Sequence, residues 1–223
     1  VSEATLSFLQ SAGVRTIELG VESLDDAVLR KSARGHAAEE TRAACLRIRR
    51  FGFHLGLHLM CGLPGQSAIS FYQTVQEVAV LHPDFVRIAP TLVLKDTPLE
   101  KLYQHGDYQP LSLESAIGQC MESFRVFHRA GISIARMGLA ISDEWGDGSE
   151  KLVAGPWHPA LRHEVESRLV RETIRERIYR EEMGNCLFIH PKDVSIVVGE
   201  GRKNITYWKQ TTGISIDLVR DEN

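Results

Sequence analysis

Ionisable side chains recur at every second position in three short segments. Thr16, Glu18, Gly20 and Glu22 alternate with Ile17, Leu19 and Val21. His54, Gly56, His58 and Met60 alternate with Leu55, Leu57 and Leu59, and Arg87, Ala89 and Thr91 with Val86 and Ile88. Side chains of a strand point alternately to its two faces, so each segment reads as a strand with one apolar and one polar face. Paired side by side, they bring two carboxylates, two imidazoles and a guanidinium together. Charges in an interior are costly unless paired with one another or engaged with a ligand. The set therefore reads either as an internal salt-bridge network, with Glu18 or Glu22 on Arg87, or as the wall of a polar binding site.

The elements around these strands say how they are arranged. Helices are expected near 4–12, from a Ser23 cap with Asp25 and Asp26 in the first turn, over 38–50 and over 68–81. Helix and strand alternate with short loops through the first 90 residues or so, the pattern of parallel strands with crossover helices. Strands that are apolar outward and polar inward suit a barrel with helices outside and a solvated interior. Sites in such barrels lie at the C-terminal strand ends. Here those ends are Glu22-Ser23, Met60-Cys61-Gly62 and Pro90-Thr91-Leu92. Further on, the pattern predicts a helix over 112–130, a strand from Ile132 to Arg136, and an irregular linker at 143–158. A long charged helix at 159–183 and a tail of strands at 186–190, 194–198 and 214–219 around a helix at 203–211 complete the chain.

Composition narrows the class. The chain has 223 residues, 43% hydrophobic and 25% charged, with a formal net charge of −3. This is a globular balance, not that of a disordered chain or a strongly basic nucleic-acid coat. No apolar run is long enough to span a membrane. Cys45, Cys61, Cys120 and Cys186 are too far apart in sequence for a zinc knuckle, a redox pair or a cluster-ligand run. They fit buried thiols in a reducing cytoplasm.

Certain stretches resemble a known family. Glu18-Leu-Gly-Val-Glu-Ser-Leu-Asp-Asp-Ala-Val-Leu29, Arg34-Gly-His36 and His58-Leu-Met-Cys-Gly-Leu-Pro-Gly65 are similar to the second half of a radical S-adenosylmethionine (SAM) barrel. Oxygen-independent coproporphyrinogen III oxidase and the catalytic subunit of Elongator share this half. Pro83-Asp84, Arg87-Ile-Ala-Pro-Thr-Leu-Val93, Asp96-Thr-Pro-Leu99 and Gly106-Asp-Tyr-Gln-Pro110 resemble the Elongator side. Ile134-Ala-Arg-Met-Gly138 and Gly155-Pro-Trp-His-Pro159 resemble its bacterial relatives that lack an acetyltransferase domain.

The resemblance implies an α/β fold, the C-terminal half of a partial (β/α)6 barrel, with an appended long helix and a small strand–helix–strand tail. The implied division is 1–142 for the half-barrel and its extension, 143–158 for the linker and 159–223 for the tail. The family's Cys-x₃-Cys-x₂-Cys motif is absent. The [4Fe–4S] ligands are therefore expected upstream, in a larger protein of which this is the C-terminal part; a first residue other than Met agrees. Five residues fall where relatives contact SAM. Glu22 stands where a ribose-binding Gln is usual, Arg34 where an arginine pairs with the SAM carboxylate, and His58 where the oxidases carry a ribose-binding Asp and Elongator-type proteins His. Met60 and Leu92 match apolar contacts to adenosine, and Glu18 and Arg87 are assigned to the substrate pocket. Arg34 pairing instead with Asp25 or Asp26 is the alternative use of that residue.

The implied chemistry is reductive cleavage of SAM to a 5′-deoxyadenosyl radical that abstracts hydrogen, with tRNA wobble uridine as substrate class and no membrane partner. Alone, the chain is expected to be inactive. The alternatives are a noncatalytic RNA-binding adaptor on a degenerate barrel, and a porphyrinogen-type oxidase. In the tail, Ser195 to Ile205 with Thr212 to Asp217 resembles the strand, glycine loop and helix of a KH domain. Arg202 stands where that loop needs its second glycine, so a structural cap is the preferred reading.

Overall fold

The computed structural model describes residues 1–139 and 151–220, and these divide into two compact units, residues 1–159 and the remainder from Ala160. In the first unit, four parallel strands lie in the order β1 (Thr16–Glu22), β2 (His54–Cys61), β3 (Phe85–Pro90), β5 (Ser133–Met137). Parallel neighbours need a crossover. α2 (Asp26–Lys31) and α3 (Ala38–Arg50) supply the first, α4 (Ala68–Val80) the second, and α5 (Pro98–His105) with α6 (Leu113–Arg129) the third. α1 (Glu3–Ser11) precedes β1. The arrangement is the expected α/β partial barrel.

The apolar face is the core. Leu55, Leu57, Leu59, Val86 and Ile88 are buried together with Ile48 of α3, Phe71, Val75 and Val78 of α4, and Ile117 and Phe127 of α6. On the other face Glu18 and Gly20 are exposed, and His58 and Arg87 are half-buried. The sheet is thus apolar outward and polar inward, as the alternation predicts. Gly56 is needed on the inner face. A Cβ there would meet the Phe85 ring at 2.3 Å and Glu18 Cγ at 2.8 Å. The N-terminal edge of β2 is fixed by Asp84, whose Oδ2 accepts from Leu55 N at 2.7 Å. That backbone donor, more than the His54 ring at 3.3 Å, holds the Asp84 carboxyl below its ordinary range.

The cap of α2 differs from expectation. Asp25, not Ser23, is the N-cap: its Oδ1 accepts from Ala27 N at 2.8 Å and Val28 N at 3.3 Å. Ser23 is fully buried, within 3.4 Å of Thr74 Oγ1, and Thr74 in turn accepts from Leu24 N. The serine joins the end of β1 to α4.

Of the stretch read as a linker, residues 143–150 lie outside the described residues. Leu152–Ala154 forms β6, antiparallel to β4 (Val93–Leu94). In the second unit, α7 (Leu161–Tyr179) and α9 (Lys203–Thr212) pack with a parallel pair, β7 (Cys186–Ile189) and β8 (Asp217–Arg220). Its core is Ile174, Ile178, Ile189, Val197, Ile216 and the fully buried Trp208. Residues 194–198 are not a strand but a short helix, α8, entered from a 3₁₀ turn at Pro191–Asp193. The glycine loop resembling a KH motif is therefore preceded by a helix and lacks that motif's strand. Among the described residues no helix is long and apolar enough to cross a membrane.

Candidate functional site

The C-terminal ends of β1, β2 and β3 surround a cavity of about 280 Å³ lined by Glu22, Ser32, Arg34, Met60, Thr91 and Leu92 among others. A larger groove of about 780 Å³ runs between α4 and α6, past Phe71, Tyr72 and Leu111, outside the barrel. The smaller cavity is the better candidate, because it sits at the strand ends and its lining includes a buried carboxylate oxygen of Glu22 and the Ser32 hydroxyl without partners.

Glu22 reaches this cavity by an irregular route. The register with β2 shifts between Gly20 and Glu22, and Glu22 takes φ +60°. That left-handed conformation costs a non-glycine residue roughly 1–2 kcal/mol. Strain of this kind concentrates at ligand sites. The result is a carboxylate folded back over β1. Glu22 Oε1 accepts from Arg34 Nη2 at 2.9 Å, and the Glu22 side chain is 9% exposed against 41% for Arg34. The other oxygen, Oε2, is buried with no hydrogen-bond partner, and so is Ser32 Oγ. Arg34 does not pair with Asp25 or Asp26: Asp25 caps α2, and Asp26 Oδ1 accepts from Ala38 N at 2.8 Å.

Gly20 makes room for this pair. A Cβ at residue 20 would lie 2.8 Å from Glu22 Oε1 and 3.2 Å from Arg34 Nη2. Both are ends of side chains and can shift, so Gly20→Ala should leave stability nearly unchanged while displacing the pair. We expect the affinity of the intact protein for its cavity ligand to fall by about tenfold. Calorimetric titration with SAM checks this; an unaltered Kd would refute the packing argument.

The rest of the wall is held from behind. Thr91 donates its hydroxyl to Cys61 O at 2.9 Å and its N–H to the same carbonyl at 2.8 Å, locking the end of β3 to that of β2. Gln66 Oε1 accepts from Gly62 N and Leu63 N, and Tyr108 donates to Gly62 O at 2.6 Å. Burial, with a smaller contribution from Cys61, pushes the Tyr108 phenol up to about 12, so it stays a donor. Cys61 is itself raised by its hydrogen bond with Cys120 and then by burial; a thiol so placed is a packing group, not a nucleophile. Gly155, at φ +122°, brings the segment after β6 against the pocket wall: a Cβ there would lie 3.1–3.2 Å from Leu92 and Thr91 O.

Four of the five residues assigned to SAM from the sequence (Glu22, Arg34, Met60 and Leu92) line this one cavity. His58 does not. It stands below the cavity, in register with Gly20 and Arg87. The two residues assigned to the substrate pocket meet each other: Arg87 Nη2 lies 3.0 Å from Glu18 Oε1. The sequence reading missed Lys31 and Ser32. Lys31 lies over Gly65, where a Cβ would meet its Cδ at 2.5 Å. Their signal was adjacency to Arg34, since one turn carries all three. The cavity thus offers a cation for an acid group, a buried acceptor for a hydroxyl and an apolar wall of Met60, Leu63 and Leu92. Among the described residues no three metal-binding side chains come together.

Comparison with known proteins places this geometry. The model of the radical SAM superfamily matches residues 1–78, and that of the Radical_SAM C-terminal domain matches residues 83–171. The tRNA uridine(34) acetyltransferase of Methanocaldococcus infernus is 32% identical over 119 residues, which are 52% of this chain and 22% of that protein. The chain therefore spans only about a fifth of that curated relative. Among solved structures, M. infernus Elp3 with an N-terminal deletion superposes with a TM-score of 0.67 at 22% identity, covering 97% of this chain and 45% of that one. Coproporphyrinogen III oxidase (HemN) from Escherichia coli gives 0.50 at 23% identity, over 59% of this chain and 30% of that one. Both share its fold. With its parallel half-barrel, its cavity at the strand ends and the two matches that between them take in most of its length, the chain belongs to the radical SAM superfamily.

Proposed function

We propose that this chain is the SAM-binding and substrate-facing part of a radical SAM enzyme of the Elongator type that acts on tRNA. The observation that carries the proposal is the buried, partnerless Glu22 Oε2 beside the Glu22–Arg34 ion pair in the strand-end cavity. An acceptor without a donor calls for a hydroxyl, and a ribose has two. A guanidinium with N–H groups beyond the one given to Glu22 suits a carboxylate. Met60, Leu63 and Leu92 give an apolar surface of the kind an adenine ring needs. The donor set therefore fits SAM.

SAM, reduced at an iron–sulfur cluster, supplies the 5′-deoxyadenosyl radical for hydrogen abstraction. This chain's residues bind and orient it. Glu22 takes the ribose, Arg34 the carboxylate, and Thr91 and Tyr108 hold the strand ends that form the wall. Cys45, Cys61 and Cys120 are buried free thiols and Cys186 is exposed on the second unit. Cluster ligands in this reading come from outside the chain, and free thiols accord with a cytoplasmic setting. Similarity to the tRNA uridine(34) acetyltransferase supports tRNA as the substrate class.

Anaerobic reconstitution of the full-length protein with iron and sulfide, followed by dithionite and SAM, tests this. The expected products are a paramagnetic reduced cluster and 5′-deoxyadenosine. Absence of both would reject the enzyme in favour of an adaptor on a degenerate barrel.

A further inference from the structure

The inner face below the SAM cavity carries a charge imbalance that SAM binding does not use. Arg87 on β3 is in register with His58 on one side and Arg136 on the other. The second of these pairings depends on a bulge. Val86 pairs with Ile134, but the next residue, Arg87, pairs with Arg136, so Ala135 is the inserted residue. Without it, an alanine would face Arg87 and Arg136 would turn to the apolar side. Bulges re-aim single side chains in this way and gather near functional sites. The consequence is two guanidiniums side by side on the polar face.

Among the described residues one carboxylate answers them. Glu18 pairs with Arg87, through Nη2. Arg87 Nε remains buried without an acceptor. Arg136 is exposed, and among the described residues it forms no ion pair. Glu22, also on β1, is committed to Arg34. Adjacent like charges repel, and a buried N–H without a partner costs free energy. A bound oxyanion relieves both.

We propose that Arg87 and Arg136 form an oxyanion subsite for the substrate, a phosphate or carboxylate group held on the inner face two residues below Ala89, the register partner of Met60. The subsite rests on the reading of the neighbouring cavity as a SAM site, and it adds Arg136 as a substrate-binding residue. At about 3.3 Å per strand residue, it lies roughly 7 Å below the cavity floor, a separation suited to a group that anchors substrate rather than reacts.

Titration of the full-length protein with inorganic phosphate and, separately, succinate, followed by calorimetry, tests the subsite; SAM is titrated in parallel. Saturable binding with Kd on the order of 1 mM is expected for one of the two anions, and the tighter one identifies the oxyanion class. Arg136→Ala should weaken it by about tenfold and Arg136→Lys by less, both with SAM affinity unchanged. Arg136 is exposed, so a fold defect is not expected; thermal melting confirms this. Anion binding equal in wild type and Arg136→Ala, or no saturable binding by wild type, overturns the subsite whether or not SAM binds. Failure of SAM to bind while anion binding follows Arg136 overturns the cavity assignment and leaves the subsite standing.

Discussion

Arg34→Ala in the full-length protein should raise the Kd for SAM by about 30-fold. A charge-assisted pair with a carboxylate contributes about 2 kcal/mol, and each 1.4 kcal/mol is a factor of ten. A second effect comes with it. Glu22 is nearly fully buried and Arg34 is its ion-pair partner. Removing one member of such a pair strands the other charge. Arg34→Lys separates the two effects, because an ammonium can still pair with Glu22 but cannot engage a carboxylate in the forked geometry of a guanidinium. Its expected outcome is near-normal thermal stability with SAM affinity still reduced several-fold. Equal SAM affinity in wild type and Arg34→Ala, measured by titration, would remove Arg34 from the site and leave it a structural cation.

The largest stability effect is expected in the second unit, at Asn204. This side chain is 2% exposed, and its Nδ2 donates to Ser167 O at 3.0 Å, Ser167 Oγ at 2.9 Å and Val197 O at 3.0 Å. It joins α9 to α7 and α8, and the left-handed Gly199 fits beside it, where a Cβ would lie 3.1 Å from both Asn204 Cγ and Ser167 Oγ. Asn204→Asp keeps the shape and replaces the donor by an acceptor facing carbonyl oxygens. The expected cost is about 3 kcal/mol, from a buried charge that faces two carbonyl oxygens and can draw on the Ser167 hydroxyl, and from the loss of both N–H···O=C bonds. Asn204→Ala loses the bonds without adding the charge and should cost less, about 1–2 kcal/mol. Denaturant melts of the two variants decide the matter. Asn204→Asp no worse than Asn204→Ala would mean that the amide is not the tie between these helices.

The contrast between these two sites shows what the amino-acid order reveals. Alternation at 16–22, 54–60 and 86–91 identifies the strands and their polar face, because a period of two survives any packing. It also puts Arg87 and Glu18 on one surface, where they meet. What alternation cannot report is a change of register. Glu22 enters the cavity through a shift after Gly20 and a positive φ, and Arg136 reaches the inner face through the inserted Ala135. Each is a one-residue irregularity with no compositional mark. His58, matched to SAM by position, lies in register with Gly20 and Arg87 and is not among the residues that line the cavity.

Nonlocal contacts explain the other departures. Ser23 and Asp25 are both good caps, and the choice falls to Asp25 because Thr74, on another helix, engages Ser23. Val194-Ser-Ile-Val-Val198 is rich in β-branched residues and reads as strand. It is helical because His190-Pro191 begins a helical turn and Val194 and Val197 join the cluster around Trp208. With that segment helical, the resemblance of the glycine loop to a nucleotide clamp loses its scaffold.

The sheet order has a consequence for how such a protein is assembled and how it diversifies. Each of the four strands bonds only to its predecessor and successor among them, so every added strand extends the sheet at one edge, as a repeat extends a solenoid. At the β1 edge Ile17 and Leu19 are only half covered, and among the described residues no strand pairs with the outer side of β1. A further parallel strand can dock on that edge without breaking a single existing hydrogen bond. The cavity lies at the strand ends rather than within the ladder, so units can be gained or exchanged at the edge while the ligand-binding turns stay as they are.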